Sequence, residues 1–145
     1  MQDLPHRYTI NAEADPTAHV TIRGDNLPQL LSAPPIEFDG PGDQWTPEHL
    51  LAASVADCFI LTFRAIARAS KLEWSKLETS AEGVLDRVDR VTRFTAFTVN
   101  ATLTLPAGSD QEKAQKLLEK SEAACMITNS LNADVHLETN ILVAS

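Results

Sequence analysis

Two side chains in this sequence could carry covalent chemistry, the thiols of Cys58 and Cys125. A thiol acts as a nucleophile when its pKa is lowered and a substrate can reach it. Cys58 lies inside the apolar run from Thr46 to Ala67, ten positions after Glu48. In a helix that spacing is close to three turns, so both side chains point to the same side, about 15 Å apart along the axis. They do not touch, but they can border one elongated pocket. A mid-helix cysteine has no N-terminus of its own helix to activate it, so a cation must come from elsewhere. Arg7, Arg23 and the Arg87, Arg90 and Arg93 group are the candidates, while Arg64 falls on another side of the helix. Asp57, directly before the thiol, disfavours the thiolate. Cys125 sits where a helix ends, beside Thr128, Asn129 and Ser130. Such an end moves more readily than a helix centre, which suits a resolving thiol. From the residues alone the pair reads in three ways: inert buried thiols, a metal pair, or a redox pair. No CxxC, HxxxH or His–Cys cluster accompanies either thiol, so no metal is expected.

Other chemistries find little footing. There is no GxSxG, and His6, His19, His49 and His136 do not cluster with a serine and an acid. No GxGxxG or P-loop occurs, so no nucleotide cofactor is expected. A net charge of −8 and a pI near 4.8 argue against nucleic acid as a partner. The N-terminus lacks a charged-then-apolar signal pattern, so a cytoplasmic location is expected.

The elements that must position the thiols read as one α+β domain over 1–145, with strands in blocks and mostly antiparallel pairing. Residues 6–32 form an N-terminal β-hairpin or small meander, turning at Asp15-Pro16 and again at Gly24-Asp25-Asn26. Residues 33–45 form a loop rich in proline and glycine, with Ile36, Phe38 and Trp45 as apolar groups to place as filler or as a pocket wall. Thr46 can cap the central helix, 47–70, with Pro47 at its first position and Glu48 at its positive end. That helix is apolar on nearly every face before Arg64, as a helix buried all round would be. Asp57, Arg64 and several small residues speak against a membrane span. Two strands occupy 74–105, joined by the charged connector Asp86–Arg90. Phe97, Val99, Ala101, Leu103 and Leu105 share the face expected to meet the core. An amphipathic helix over 110–124 and a final strand over 133–143 complete the chain.

The helix opening Thr-Pro-Glu-x-Leu-Leu-Ala-Ala, with Cys58-Phe59 following and Cys125-Met126-Ile127-Thr128-Asn129-Ser130-Leu131 before the last strand, resembles the OsmC/Ohr family of thiol peroxidases. The resemblance implies an intertwined homodimer in which sheets from both subunits wrap the central helices. It makes Cys58 the thiolate that attacks a peroxide O–O bond and Cys125 the thiol that resolves it as a disulfide. It has Glu48 hold an arginine that polarises the thiolate. The family carries that arginine in the first hairpin turn, but Asp15-Pro16-Thr17 has none, and Arg23 is the nearest substitute. The family acts on organic hydroperoxides and is regenerated by dithiol reductants such as lipoylated proteins.

A competing expectation keeps the fold without the chemistry: a dimeric binder whose apolar pocket is lined by Ile36, Phe38, Trp45 and Phe59. An arginine close to both Glu48 and Cys58 would favour the enzyme. A shielded, unpaired Cys58 would favour the binder.

Overall fold

Short strands bounded by turns build the first fifty residues. The computed structural model describes residues 1–145, with Met1–Leu50 and Leu51–Ser145 as two compact units. In the first unit, β1 (Asn11–Glu13), β2 (Val20–Arg23) and β3 (Leu30–Ser32) pair antiparallel in that order. Asp15 shapes the turn between β1 and β2, its Oδ1 accepting the backbone N–H groups of Thr17 at 2.9 Å and Ala18 at 2.7 Å. After β3 the chain makes one 3₁₀ turn, Ile36–Phe38, and returns so that Ala33 N–H donates to the Trp45 carbonyl at 2.8 Å.

The helix α1 (Pro47–Ala69) starts where its capping residues place it. Thr46 is buried; its Oγ1 accepts the His49 backbone N–H at 3.0 Å and its carbonyl accepts that of Leu50 at 2.9 Å. The hydroxyl thereby satisfies one otherwise unpaired N–H group of the first turn, and the carbonyl accepts the first bond of the helix. Helix α1 is long and apolar enough to cross a membrane by length and composition. Its fully buried residues form one stripe, Val55, Phe59, Phe63 and Ala67, at four-residue spacing. The rest of the helix is partly or wholly exposed in the single chain, including Leu61 and Ala65. The burial on all sides that the sequence suggested is therefore not met within one chain.

That stripe packs against the second sheet, order β4-β5-β6. Strands β4 (Lys76–Val88) and β5 (Val91–Leu105) form a long antiparallel hairpin, turning on Asp89 and Arg90 alone. Both turn residues have positive φ, 51° and 69°, as a tight two-residue hairpin demands. The five-residue connector expected over 86–90 is thus largely strand. The inward face of β5, Phe97, Val99, Ala101, Leu103 and Leu105, is buried. It meets Phe63 and Leu118 in one hydrophobic core.

Helix α2 (Gln111–Ala124) is capped by Asp110, whose Oδ1 accepts the Lys113 backbone N–H at 3.0 Å. It buries Ala114, Leu117, Leu118 and Ser121, an i, i+3, i+4, i+7 stripe. A four-residue helix, α3 (Met126–Asn129), follows at once, and β6 (Asp134–Val143) then pairs parallel with β5. The parallel pairing follows from the connection, because α2 and α3 span the crossover that returns the chain to the same end of the sheet. The architecture is α+β with three antiparallel strand pairs and one parallel pair.

Candidate active site around Cys58

Cys125 caps both the end of α2 and the start of α3, with φ −65° and ψ 114° between the two helical segments. The sharp join leaves the first N–H groups of α3 without partners inside their own helix. Those of Met126 and Ile127 act on the Cys58 sulfur, and that of Thr128 acts on the Cys125 sulfur. Backbone amides of α3 thus favour the ionised form of both thiols.

Cys58 is half-buried on α1, with its Sγ 3.7 Å from the Thr62 hydroxyl one turn further along. Burial pushes the Cys58 pKa up, but it is outweighed by the Ile127 N–H, the Cys125 thiol, the Thr62 hydroxyl and the Met126 N–H. The net shift is downward, so this thiol is the more readily ionised of the two. The groups that lower it are two backbone amides, a thiol and a hydroxyl, and no guanidinium is among them. The missing donors were invisible in the sequence because α3 is distant along the chain. Asp57 is exposed, where water and salt screen its charge.

Cys125 is almost fully buried, and burial raises its pKa; Thr128 opposes through its N–H and hydroxyl, and neighbouring Cys58 adds to the rise. Both cysteines are free thiols, and they lie close enough to bias one another's ionisation.

A cavity of about 470 Å³ opens beside Cys58. Ser54, Asp57, Leu61, Thr62, Ala65 and Ile66 line it from α1, and Ala124, Met126 and Ile127 from across. None of the four expected pocket residues is among them. Phe59 belongs to the core, not the pocket: one position beyond Cys58 it is rotated 100° about the helix and is 1% exposed. Ile36, Phe38 and Trp45 stand exposed in the first unit. Thr62, Leu61, Ser54 and Ala65 were legible in principle, lying four and three after, four before and seven after Cys58, on one helix face.

Glu48 and Arg23 are not ion-paired with each other. Arg23 gives Nη1 to Glu13 Oε1 at 2.6 Å and Nε to Gln29 Oε1 at 3.3 Å, both on the surface. Glu48 Oε2 is buried without a hydrogen-bond partner.

A fold of this topology carrying two facing thiols defines a class of proteins. The family model described as OsmC-like protein matches residues 40–140, and the chain belongs to that family. It is 31% identical over 121 residues to the uncharacterized protein YmaD of Bacillus subtilis, covering 81% of this chain and 80% of that one. It is 27% identical over 129 residues to an organic hydroperoxide resistance protein of Xanthomonas axonopodis pv. citri, covering 82% and 89%. Among solved structures, an OsmC-like protein of Vibrio cholerae superposes with a TM-score of 0.85 at 16% identity, covering 93% of this chain and 99% of that one.

Proposed function

We propose that this protein is a cysteine-dependent peroxidase that reduces organic hydroperoxides. The observation that carries the proposal is the pairing of an ionisable, accessible Cys58 with a buried, protonated Cys125 beside it. The names of two relatives, a peroxiredoxin and an organic hydroperoxide resistance protein, point the same way.

In the first step the Cys58 thiolate attacks the terminal oxygen of R–O–O–H. The S–O bond forms as the O–O bond breaks, leaving Cys58 as a sulfenic acid and releasing RO⁻, which takes a proton to become the alcohol. In the second, the Cys125 sulfur attacks the sulfenic sulfur; an S–S bond forms, and hydroxide leaves with the Cys125 proton as water. An external dithiol then reduces the disulfide by exchange and is itself oxidised. The same donors that hold the thiolate keep the sulfur oriented toward the cavity.

The support for activation lies with α3 amides and Thr62, since Arg23 is committed to Glu13 and Gln29. The alternative of a plain apolar binder requires a shielded, unpaired Cys58. Here the thiol borders an open cavity and has partners. The exposed apolar positions of α1, Leu61 and Ala65 among them, support a homodimer formed over that helix.

Peroxide consumption with a dithiol reductant tests the proposal. Wild type turns over cumene hydroperoxide; Cys58→Ser does not, and Cys125→Ser loses turnover while still consuming one equivalent. Equal consumption by wild type and Cys58→Ser would refute it.

A further inference from the structure

Cys125 is a single extended residue between two helices, and its backbone is held from both sides. Toward α2, its N–H donates to the Glu122 carbonyl at 3.3 Å. Toward α3, its carbonyl accepts the Asn129 backbone N–H at 3.0 Å and the Thr128 hydroxyl at 3.3 Å. One side chain reaches back across the elbow from α3 to α2: Asn129 Nδ2 donates to the Ala123 carbonyl at 3.1 Å. Ala123 is among the last four residues of α2, whose carbonyls have no partner in their own helix. Asn129 thus ties α3 to Cys125 through its backbone and α3 to α2 through its side chain. We propose that Asn129 is a positioning residue for disulfide formation: its side-chain amide, bonded to the Ala123 carbonyl across the α2–α3 elbow, holds the Cys125 sulfur in line to attack Cys58.

The argument is one of direction. A sulfur displacing a leaving group from another sulfur must meet it in a near-attack geometry, and small misplacements are costly. Cys125 is 1% exposed, so the aim of its thiol follows its backbone. Helix α2 is anchored through Ala114, Leu117 and Leu118, and α3 through Ile127, which packs on the core. Neither anchor fixes the angle between the two helices; the Asn129–Ala123 bond closes that angle. Both of its residues are exposed, so removing it leaves the core packing intact. The proposal rests on Cys58 as the attacking thiol and Cys125 as the resolving one, and it names what holds the second in place.

Thiol exchange tests the aim without peroxide. Reduced protein is mixed with one equivalent of 2,2′-dithiodipyridine, and thiopyridone release is followed by absorbance. Attack by the Cys58 thiolate breaks the reagent's S–S bond, forms a Cys58–pyridyl mixed disulfide and releases the first thiopyridone. Attack by Cys125 on the Cys58 sulfur then forms the Cys58–Cys125 disulfide and releases the second. Asn129→Ala is expected to slow the second phase about threefold to tenfold, the scale of one hydrogen bond. It should leave the first phase within about twofold of wild type, as a surface substitution does. Asn129→Asp keeps the shape but replaces the donor with an acceptor, and should slow the second phase likewise. Ser130→Ala removes a 2.7 Å bond to the Met126 carbonyl without touching the elbow, so both phases should match wild type. A second phase unmoved in Asn129→Ala, both phases slowed alike, or an equal slowing in Ser130→Ala overturns the proposal.

A second arm adds one equivalent of cumene hydroperoxide in the presence of dimedone, which captures sulfenic acid. Slower closure by Cys125 leaves Cys58 sulfenic acid exposed longer, so Asn129→Ala is expected to yield more Cys58–dimedone adduct than wild type. Adduct formed in equal yield in both overturns the positioning role in the peroxide reaction. If the exchange phases split as expected yet hydroperoxide oxidises neither thiol, the positioning of Cys125 stands and the peroxidase proposal falls.

Discussion

The Cys125 thiol serves Cys58 as a donor, and the two cysteines move one another's pKa in opposite directions. Burial acts upward on both sulfurs. It prevails at Cys125, where Cys58 adds to it, and it is overcome at Cys58 by donors that include Cys125 itself. Cys58 is therefore the thiol that ionises more readily, and Cys125 the one that holds its proton. In the proposed mechanism that asymmetry suits the half-buried Cys58 to attack and the buried Cys125 to wait until the first has been oxidised.

The thiolate fraction of Cys58 rises with pH, and a lowered pKa moves its half-point to lower pH. Alkylation of Cys58 by iodoacetamide is accordingly expected to reach half its maximal rate below the ordinary thiol range. Cys125→Ala removes one downward contribution, so its half-point should lie higher than that of wild type. A half-point unchanged or lowered in Cys125→Ala would show that Cys125 is not a donor to the thiolate.

Thr62 offers a cleaner probe, because its methyl can be kept while its hydroxyl is removed. Thr62→Val is expected to raise the Cys58 pKa and to slow reaction with hydroperoxide at neutral pH by about threefold to tenfold, the scale of one ordinary hydrogen bond. Thr62→Ser should restore the wild-type pH profile. If Thr62→Val keeps the wild-type profile, the 3.7 Å contact has no bearing on the thiolate.

Phe63 anchors the helix that carries Cys58. It is fully buried in the stripe of α1 and lies edge-on to Trp74, with ring centroids 5.5 Å apart. Phe63→Ala is expected to destabilise the fold by about 3–5 kcal/mol, read from the urea midpoint. A loss below about 1 kcal/mol would show that the surrounding core collapses into the space.

Much of this was legible in the sequence, and the parts that were not share a cause. The Thr46 cap, the inward face of β5 and the Asp110 start of α2 follow from neighbours in sequence, and all appear as such. The parallel β5–β6 pairing and the Met126 and Ile127 donors depend on where a crossover returns the chain, which periodicity does not encode. The expected pocket residues do not line the Cys58 cavity of the single chain. Ile36, Phe38 and Trp45 are apolar and loop-borne, but composition does not say what they face. Phe59 lies in the core of the single chain, since a one-residue step on a helix turns a side chain from cavity to core.

The most direct measurement is the covalent state of the two cysteines after one equivalent of cumene hydroperoxide, read by intact-mass and peptide mass spectrometry without added reductant. Wild type is expected to lose both free thiols and yield a single linked peptide joining Cys58 to Cys125. Cys125→Ser should stop at a Cys58 sulfenic acid, and Cys58→Ser should keep its thiol. Wild-type protein that retains both thiols through this treatment, or that oxidises at Cys125 alone, would contradict a Cys58-centred peroxidase.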